Sequence, residues 1–363
     1  MDKDYSSGME IPLGQRLREL PGPMLLTGHT GFKGTWMTFL LEHLEVPVVG
    51  YSLEPEEDSL FDRAGRFGAI PEIFADIRDY ETLEKFIDEK KPSTIIHMAA
   101  QPLVLKSYET PRDTFDVNVM GTVNALDIAF KKDFIKAIIV VTTDKVYRND
   151  NSGRSFVETD PLEGKDPYSA SKVGTEAVVA AWQQIAKTSG GPSVVSVRAG
   201  NVIGGGDFGE NRLIPDLIQS VVLDKMVSIR NPESTRPWQH VLDPLVGYLL
   251  SLETLVNGVE LPNLNFGPHS KNLTVSQLIE IGRSKFPELS RLINYDVDVF
   301  ILEEAKLLEL NSTLSREILG WESVWSQEQA ILKTFDWWQK YLSNFQSAQD
   351  ICFGEISEYF SSL

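Results

Sequence analysis

Tyr168-Ser169-Ala170-Ser171-Lys172 sets a phenol and an ammonium four residues apart, which on a helix brings both to one face, a turn apart. Such a pair suits proton removal from a hydroxyl. A phenol of pKa ~10 is a poor base at neutral pH, and a fixed positive charge beside it stabilises the phenolate. Upstream, Thr142-Thr143-Asp144-Lys145 offers hydroxyl, carboxyl and amine in succession. Thr143 can hydrogen-bond a substrate hydroxyl. Asp144 can be a general acid where its pKa is raised, and Lys145 a base where burial or a neighbouring cation depresses its own. Alone, this tetrapeptide is equally a β-turn with solvated charges; its place between an apolar run and the Tyr168 segment favours the chemical reading. A third cluster, TGHTGFKG at 27–34, spaces its glycines as GxxGxxG. Gly28 allows a tight turn, Gly31 lets backbone approach a pyrophosphate and Gly34 packs helix on strand, with Thr30, Phe32 and Lys33 in the same turn.

These groups need elements to hold them. Short apolar runs at 24–27, 48–53, 94–98, 137–142 and 194–198 read as strands, and 35–44, 80–90, 113–130 and 168–187 carry apolar residues at i, i+3, i+4 spacing. Unbroken apolar strands alternating with helices predict a Rossmann-type α/β fold, a doubly wound parallel sheet covered on both faces. In such sheets reactive groups and cofactor gather outside the carboxyl ends of the strands. The second strand ends in Ser52-Leu53-Glu54, with no arginine before Arg63, so a 2′-phosphate has no nearby cation and NAD is favoured over NADP. Glu54 is equally a solvated loop carboxylate. Asp76-Ile77, after the next apolar element, can bond an adenine amino group or simply form a turn.

Beyond about residue 200 the pattern loosens into a Gly/Asn/Pro-rich stretch with helical segments at 273–286, 303–309 and 326–342, the mark of a smaller mixed α/β substrate-binding lobe. The expected organisation is an N-terminal arm (1–22) outside the core, a dinucleotide-binding domain with the catalytic residues (23–200), the lobe (201–342, partly crossing back to the sheet) and a C-terminal extension without assignment (343–363). Length agrees, since 363 residues at ~150 per domain suggest about two units. Thirty-four Lys+Arg against 52 Asp+Glu leave a net charge of −18, which argues against nucleic-acid and anionic-membrane partners unless a basic pocket intervenes. Arg230 and Arg236 in the lobe can supply that exception, pairing with phosphate through their planar donor forks. The single cysteine, Cys352, forms no intrachain disulfide and no Cys-based zinc set, which suits a reducing compartment; no metal site is expected. With no apolar leader at the start and no ~18-residue apolar run, a soluble cytoplasmic protein is expected.

TGHTGFKG, HMAAQPLV at 97–104, NVMGTV at 118–123, residues 142–145 and the Tyr168/Lys172 pair together resemble the extended short-chain dehydrogenase/reductase family acting on nucleotide sugars. Within it, RAGNVIGGGD at 198–207, RLIPD at 212–216 and RNPESTRPWQHVLDPLVGY at 230–248 resemble the sugar-nucleotide 4,6-dehydratases, over roughly residues 24 to 342. Most of these carry Asp-Glu where this chain has Asp144-Lys145, and the lysine points to the CDP-sugar branch.

The resemblance implies bound NAD, contacted also by Ala99, Ala100, Gln101, Asn118 and Thr142, and a nucleotide-diphosphate sugar contacted by Asn201, Arg212, Leu213, Ile214, Arg236 and His240. Taken alone, His240 is equally a satisfied, partly buried imidazole. The implied cycle converts CDP-glucose to its 4-keto-6-deoxy product. Tyr168 takes the 4-hydroxyl proton while hydride leaves C4 for NAD, Lys145 helps remove the C5 proton, Asp144 protonates the departing 6-hydroxyl, and the hydride returns to C6. A homodimer through helices near 113–130 and 168–187 is implied too. The chain departs from the family after Asp-Lys, where 146–156 is shorter and lacks tryptophan, and where Thr143 and Val146 replace the common Ser and Cys. A 4-epimerase or oxidoreductase of the same fold also uses Tyr168 without needing an acid for water loss. A non-catalytic dinucleotide sensor keeps the glycine loop but tends to lose the Tyr/Lys pair.

Overall fold

A computed structural model describes residues 12–209, 211–229, 231–269, 272–295 and 308–363. Seven strands form one parallel sheet: β1 (Met24–Thr27), β2 (Val48–Ser52), β3 (Glu72–Phe74), β4 (Thr94–His97), β5 (Ala137–Val141), β6 (Ser193–Ala199) and β7 (Leu264–Phe266), in spatial order β7-β6-β5-β4-β1-β2-β3. Every residue of β1, β2, β4 and β5 is buried, as a sheet covered on both faces requires. β1 pairs with β2 on one side and β4 on the other, Met24 lying opposite both Val48 and Thr94. The strand order reverses there, opening the crevice in which doubly wound sheets bind ligands.

The longer helices are α1 (Phe32–His43), α2 (Tyr80–Lys90), α3 (Gly121–Phe130), α4 (Pro167–Ser189), α5 (Leu213–Leu223), α6 (Leu242–Val256), α7 (Val275–Arg283), α8 (Gln327–Leu342) and α9 (Ala348–Ser361). One core joins the sheet to Trp36 and Phe39 of α1, Leu245 and Leu249 of α6 and Trp337 of α8. The other joins it to Phe86 of α2, Leu126 of α3 and Val179 of α4. The two cores are the two covered faces of the sheet. In the lobe, pairs of two-residue strands tie irregular chain together: Val202–Ile203 with Gln239–His240, and Thr235–Arg236 with Leu273–Thr274. No helix among the described residues is long and apolar enough to cross a membrane.

Several expectations change. The helix expected over 113–130 is broken into Pro111–Phe115, a π turn over Asp116–Met120 and α3. The extra residue accompanies the buried Asn118, whose side chain bridges two other elements; π turns mark such sites often. The helix expected at 303–309 falls largely outside the described residues, and Leu308 and Leu310 instead pack as non-helical chain on Tyr147 and Phe156. The supposed arm contributes to the core, since Leu17 is buried there and Arg18 Nη1 donates to Leu44 O at 2.5 Å. The unassigned C-terminal stretch folds as α9, setting Phe353 edge-on to Phe39 and stacking Phe360 on His43.

Candidate active site

The glycine loop leaves β1 where Thr27 Oγ1 contacts His97 Nδ1 at 2.8 Å and accepts hydrogen bonds from the Met98 and Ala99 amides, so the ends of β1 and β4 are locked together. Burial, with the Lys172 charge adding, pushes His97 down to about 3, so it is neutral. Gly28 has φ +74°, and a Cβ on it would stand 2.7 Å from Ala99 N; a Cβ on Gly34 would stand 2.1 Å from Gly28 O. Both glycines are demanded by the protein itself. Gly31 is different: its φ is −73° and the nearest atom to an added Cβ is Gly28 O at 3.5 Å. Nothing within the fold needs glycine there, whereas a pyrophosphate approaching the N-terminus of α1 does. That N-terminus carries no side-chain cap and no acidic residue in its first turn.

Thr30 Oγ1 hydrogen-bonds Ser52 Oγ at 2.8 Å and donates to Leu53 O, fixing the loop against the end of β2. Leu53 and Glu54 are exposed there, and Arg63 is paired with Asp58. Asp76 is held by Arg78, whose hydrogen bonds keep its carboxyl below the usual range, and Ile77 is buried against Gly121. Ala99 and Ala100 are half-buried beside the loop. Asn118 accepts from the Gln101 amide at 2.8 Å and donates to Ser171 Oγ at 2.8 Å, joining the chain after β4 to α4. This set fits a dinucleotide.

The carboxyl end of β5 delivers the reactive cluster. Thr143 caps a single 3-10 turn over Asp144–Val146, donates to Asp144 Oδ1 at 3.1 Å and is a hydrogen-bond partner of the Tyr168 phenol. Asp144 is buried, and its Oδ2 has no hydrogen-bond partner among the described residues. Burial raises its pKa to about 6 against the opposing pull of Lys145, Thr143 and Arg236. Lys145 is half-buried in the same turn.

One expectation fails here: Lys172 does not draw the Tyr168 phenol down. Burial pushes Tyr168 up to about 12, and the groups opposing it are Thr143 and Arg212. Lys172 donates to Val141 O at 3.2 Å and is itself brought down to about 7 by burial, then by Lys33, against Glu176. Phenol and ammonium share a desolvated pocket, so each is pushed toward its neutral form. Lys33, expected among the cofactor-binding residues of the glycine loop, holds its Nζ 5.8 Å from the Tyr248 ring centroid. It too is lowered, to about 8, by burial and then the Arg212 charge, with Asp144 opposing. Its ammonium therefore faces the reactive cluster. Tyr248 was not anticipated; its buried hydroxyl has no partner among the described residues.

On the substrate side, Arg212 precedes α5, pairs with Asp207 at 2.8 Å and acts electrostatically on both Tyr168 and Lys33. Arg236 acts on Asp144 from the Thr235–Arg236 strand. Asn201 accepts the Gln239 amide through its carbonyl, Leu213 is half-buried and the Ile214 side chain lies in the core. Arg230 lies outside the described residues. His240 corrects the expectation of a substrate contact. It is wholly buried, with Glu355 Oε1 of α9 2.6 Å from Nε2, the Leu242 amide donating to Nδ1, and Trp36 and Trp325 against its ring. The reading as a buried imidazole fits better; Glu355 lies more than a hundred residues away on α9, beyond reach of local sequence.

A doubly wound sheet with a dinucleotide cradle at its switch point and a Tyr/Lys helix facing a Thr-Asp-Lys turn defines a nicotinamide-dependent enzyme class acting on hydroxylated substrates. The model of the NAD dependent epimerase/dehydratase family matches residues 24–267. The chain belongs to that family. It is 37% identical to the CDP-glucose 4,6-dehydratase of Salmonella typhimurium over 354 residues, covering 93% of this chain and 96% of the relative. It is 26% identical to the dTDP-glucose 4,6-dehydratase of Escherichia coli over 382 residues, covering 92% and 97%. Among solved structures, the dTDP-glucose 4,6-dehydratase of Streptomyces venezuelae with NAD bound superposes with TM-score 0.76 at 22% identity, covering 88% of this chain and 98% of that one. The UDP-glucose 4-epimerase of Thermotoga maritima gives 0.76 at 21%, covering 88% and 99%.

Proposed function

We propose that this chain is an NAD-dependent lyase, a nucleotide-sugar 4,6-dehydratase that converts CDP-glucose to CDP-4-keto-6-deoxyglucose. The observation that carries the reading is the Asp144 carboxyl, buried with one oxygen unpartnered, one residue from the threonine that bonds the Tyr168 phenol. An epimerase needs the phenol but has no use for this acid. The similarity to the Salmonella enzyme supports CDP-glucose as the substrate.

NAD, when bound, supplies reversible hydride acceptance. Tyr168, aligned by Thr143, takes the 4-hydroxyl proton as its phenolate, the form that the positive nicotinamide ring of bound NAD would favour over the neutral phenol that burial keeps. Once C4 is a ketone, the C5 proton is acidic, and Lys145 takes it. Asp144, protonated, gives its proton to the departing 6-hydroxyl, so that water leaves; the hydride taken at C4 is returned to C6 as Lys145 gives its proton back to C5, and the sugar is neither oxidised nor reduced overall. Arg212 and Arg236 are assigned to the diphosphate, with Asn201 and Leu213 beside it; burial limits Ile214 to backbone contact. Arg230 keeps its expected phosphate role as part of this proposal.

We assign a homodimer, supported by exposed Leu105, Tyr108, Phe115 and Met120 before α3 and Ile185 on α4, and a cytoplasmic location suited to a soluble sugar-nucleotide substrate. Incubation with CDP-, UDP-, dTDP- and GDP-hexoses, followed by mass, tests the reaction. Loss of one water from CDP-glucose is expected. Turnover of none, or of a sugar without loss of mass, contradicts the proposal.

A further inference from the structure

Helix α4 carries a third group in line with Tyr168 and Lys172. Glu176 lies one turn beyond Lys172, buried, and accepts five hydrogen bonds. Its Oε1 takes Thr142 Oγ1 at 2.5 Å and Arg198 Nε at 2.8 Å; its Oε2 takes Ser196 Oγ at 2.7 Å, Arg198 Nη2 at 2.8 Å and Asn263 Nδ2 at 3.4 Å. Arg198 on β6, equally buried, spends its remaining nitrogen on Tyr147 OH at 2.8 Å and Glu158 O at 3.0 Å. Tyr147 in turn donates to Asn265 Oδ1 of β7 at 2.7 Å and stacks flat on Phe156.

Thr142 and Tyr147 are the residues immediately flanking 143–146, the stretch that carries the proposed acid and base. Within that stretch the stabilising hydrogen bonds are long: Lys145 N to Thr143 Oγ1 at 3.3 Å, Val146 N to Thr143 O and Tyr147 N to Asp144 O at 3.4 Å each. A turn held so weakly from within takes its shape from what surrounds it: the Glu163 amide, which donates to Val146 O at 2.8 Å, and its two ends. Both ends lead to one ion pair, and that pair is rooted in the helix bearing the phenol. Stability does not account for it, because buried ion pairs are commonly no better than apolar residues of similar volume.

We infer that the Glu176–Arg198 pair is a positioning device that sets the Asp144/Lys145 turn relative to Tyr168, and so governs water loss selectively over C4 oxidation. The inference rests on the function proposed above. Glu176, Arg198 and Tyr147 act through the turn, touching neither substrate nor cofactor in this role.

Tyr147→Phe is the sharper test, since it keeps the ring stack and the ion pair while cutting the tie to the turn; Glu176→Gln is its companion. Two readouts are needed. Hydrogen exchange of the amides at 143–147 in the full chain should accelerate about tenfold in Tyr147→Phe, with β5 and α4 keeping wild-type protection. In single turnovers on CDP-glucose, reduced nicotinamide should form within about twofold of the wild-type rate while dehydrated product falls about tenfold or more, so that reduced nicotinamide accumulates. Unchanged exchange at 143–147, or equal slowing of both steps, overturns the inference. Should the wild type dehydrate no nucleotide sugar, the proposed function fails, and the exchange result alone still judges the tether. Global loss of protection in Glu176→Gln with an unaltered Tyr147→Phe would make the pair merely structural, and would also overturn it.

Discussion

Asp144 combines two properties that rarely coincide: a carboxyl held in a dry site and an oxygen with no hydrogen-bond partner among the described residues. Its pKa of about 6 gives the sign of a pH effect. The acid must carry its proton, which it does below that value and ceases to do above it. Dehydration is therefore expected to decline as pH rises through about 6, approaching tenfold per unit, as read by single-turnover product formation. Asp144→Asn should abolish that limb and slow dehydration by about 10²–10⁴-fold while C4 oxidation still reduces bound nicotinamide; Tyr168→Phe should stop the earlier step by a similar factor. If both variants fail at the same step, the division of labour is wrong. The residue types at 142–145 and 168–172 and their spacing were legible because a helix turn and a strand end are local features. What Lys172 does to Tyr168 was not, since shared desolvation depends on everything packed around the pair. Glu176 did leave a signal, one turn past Lys172, but its partners on β5 and β6 are brought to it only by the sheet.

At the scale of elements, the junction of β1 and α1 separates protein demands from cofactor demands. Gly34→Ala forces a Cβ to within 2.1 Å of Gly28 O and should lower thermal stability and cofactor affinity together. Gly31→Ala has room within the fold, so its melting should match wild type while NAD affinity, measured by calorimetric titration, falls about tenfold or more. Loss of stability in Gly31→Ala would refute the cradle. Helix α9 is clasped by Asp243, whose Oδ1 accepts from Tyr359 OH at 2.9 Å and Val324 N at 2.8 Å while Oδ2 has no partner among the described residues. Burial raises this carboxyl to about 6, against Val324, His240 and Tyr359. A folded-state pKa above the unfolded one contributes stability that is complete below the unfolded value of ~3.9 and lost as pH rises through about 6, in all roughly 3 kcal/mol. Melting midpoints of Asp243→Asn should therefore vary less between pH 5 and pH 8 than those of wild type; an equal dependence would rule the carboxyl out. Strands with continuous apolar character and the 80–90 helix were readable in sequence. β7 was not, because three residues inside a loose lobe carry no period, and α9 was missed although Ile351, Cys352, Glu355, Ile356 and Tyr359 recur at helical spacing on its buried face.

The whole molecule combines a net charge of −18 with two arginines, Arg212 and Arg236, that act on the Tyr168 and Asp144 cluster. In the proposed function these two arginines overcome the long-range repulsion locally, as a nucleotide diphosphate needs. The apolar residues left exposed before α3 and on α4 should be covered by a second copy. Sedimentation equilibrium should give the mass of two chains, and Leu105→Glu with Met120→Glu should give one; a wild-type monomer would contradict the assignment. The dehydratase reading came from long motifs spread over the chain, whereas His240 shows where motif position misleads: it sits in a recognisable segment, yet its ring belongs to the core.

In the proposed reaction one molecule of sugar loses and regains the same hydride while shedding water. CDP-glucose deuterated at C4, incubated with the purified protein and substoichiometric NAD, should yield a product lighter by one water with the deuterium at C6 of the same molecule, seen by mass and proton resonance. Deuterium remaining at C4 of a sugar of unchanged mass, or lost to solvent or to free cofactor, would contradict it.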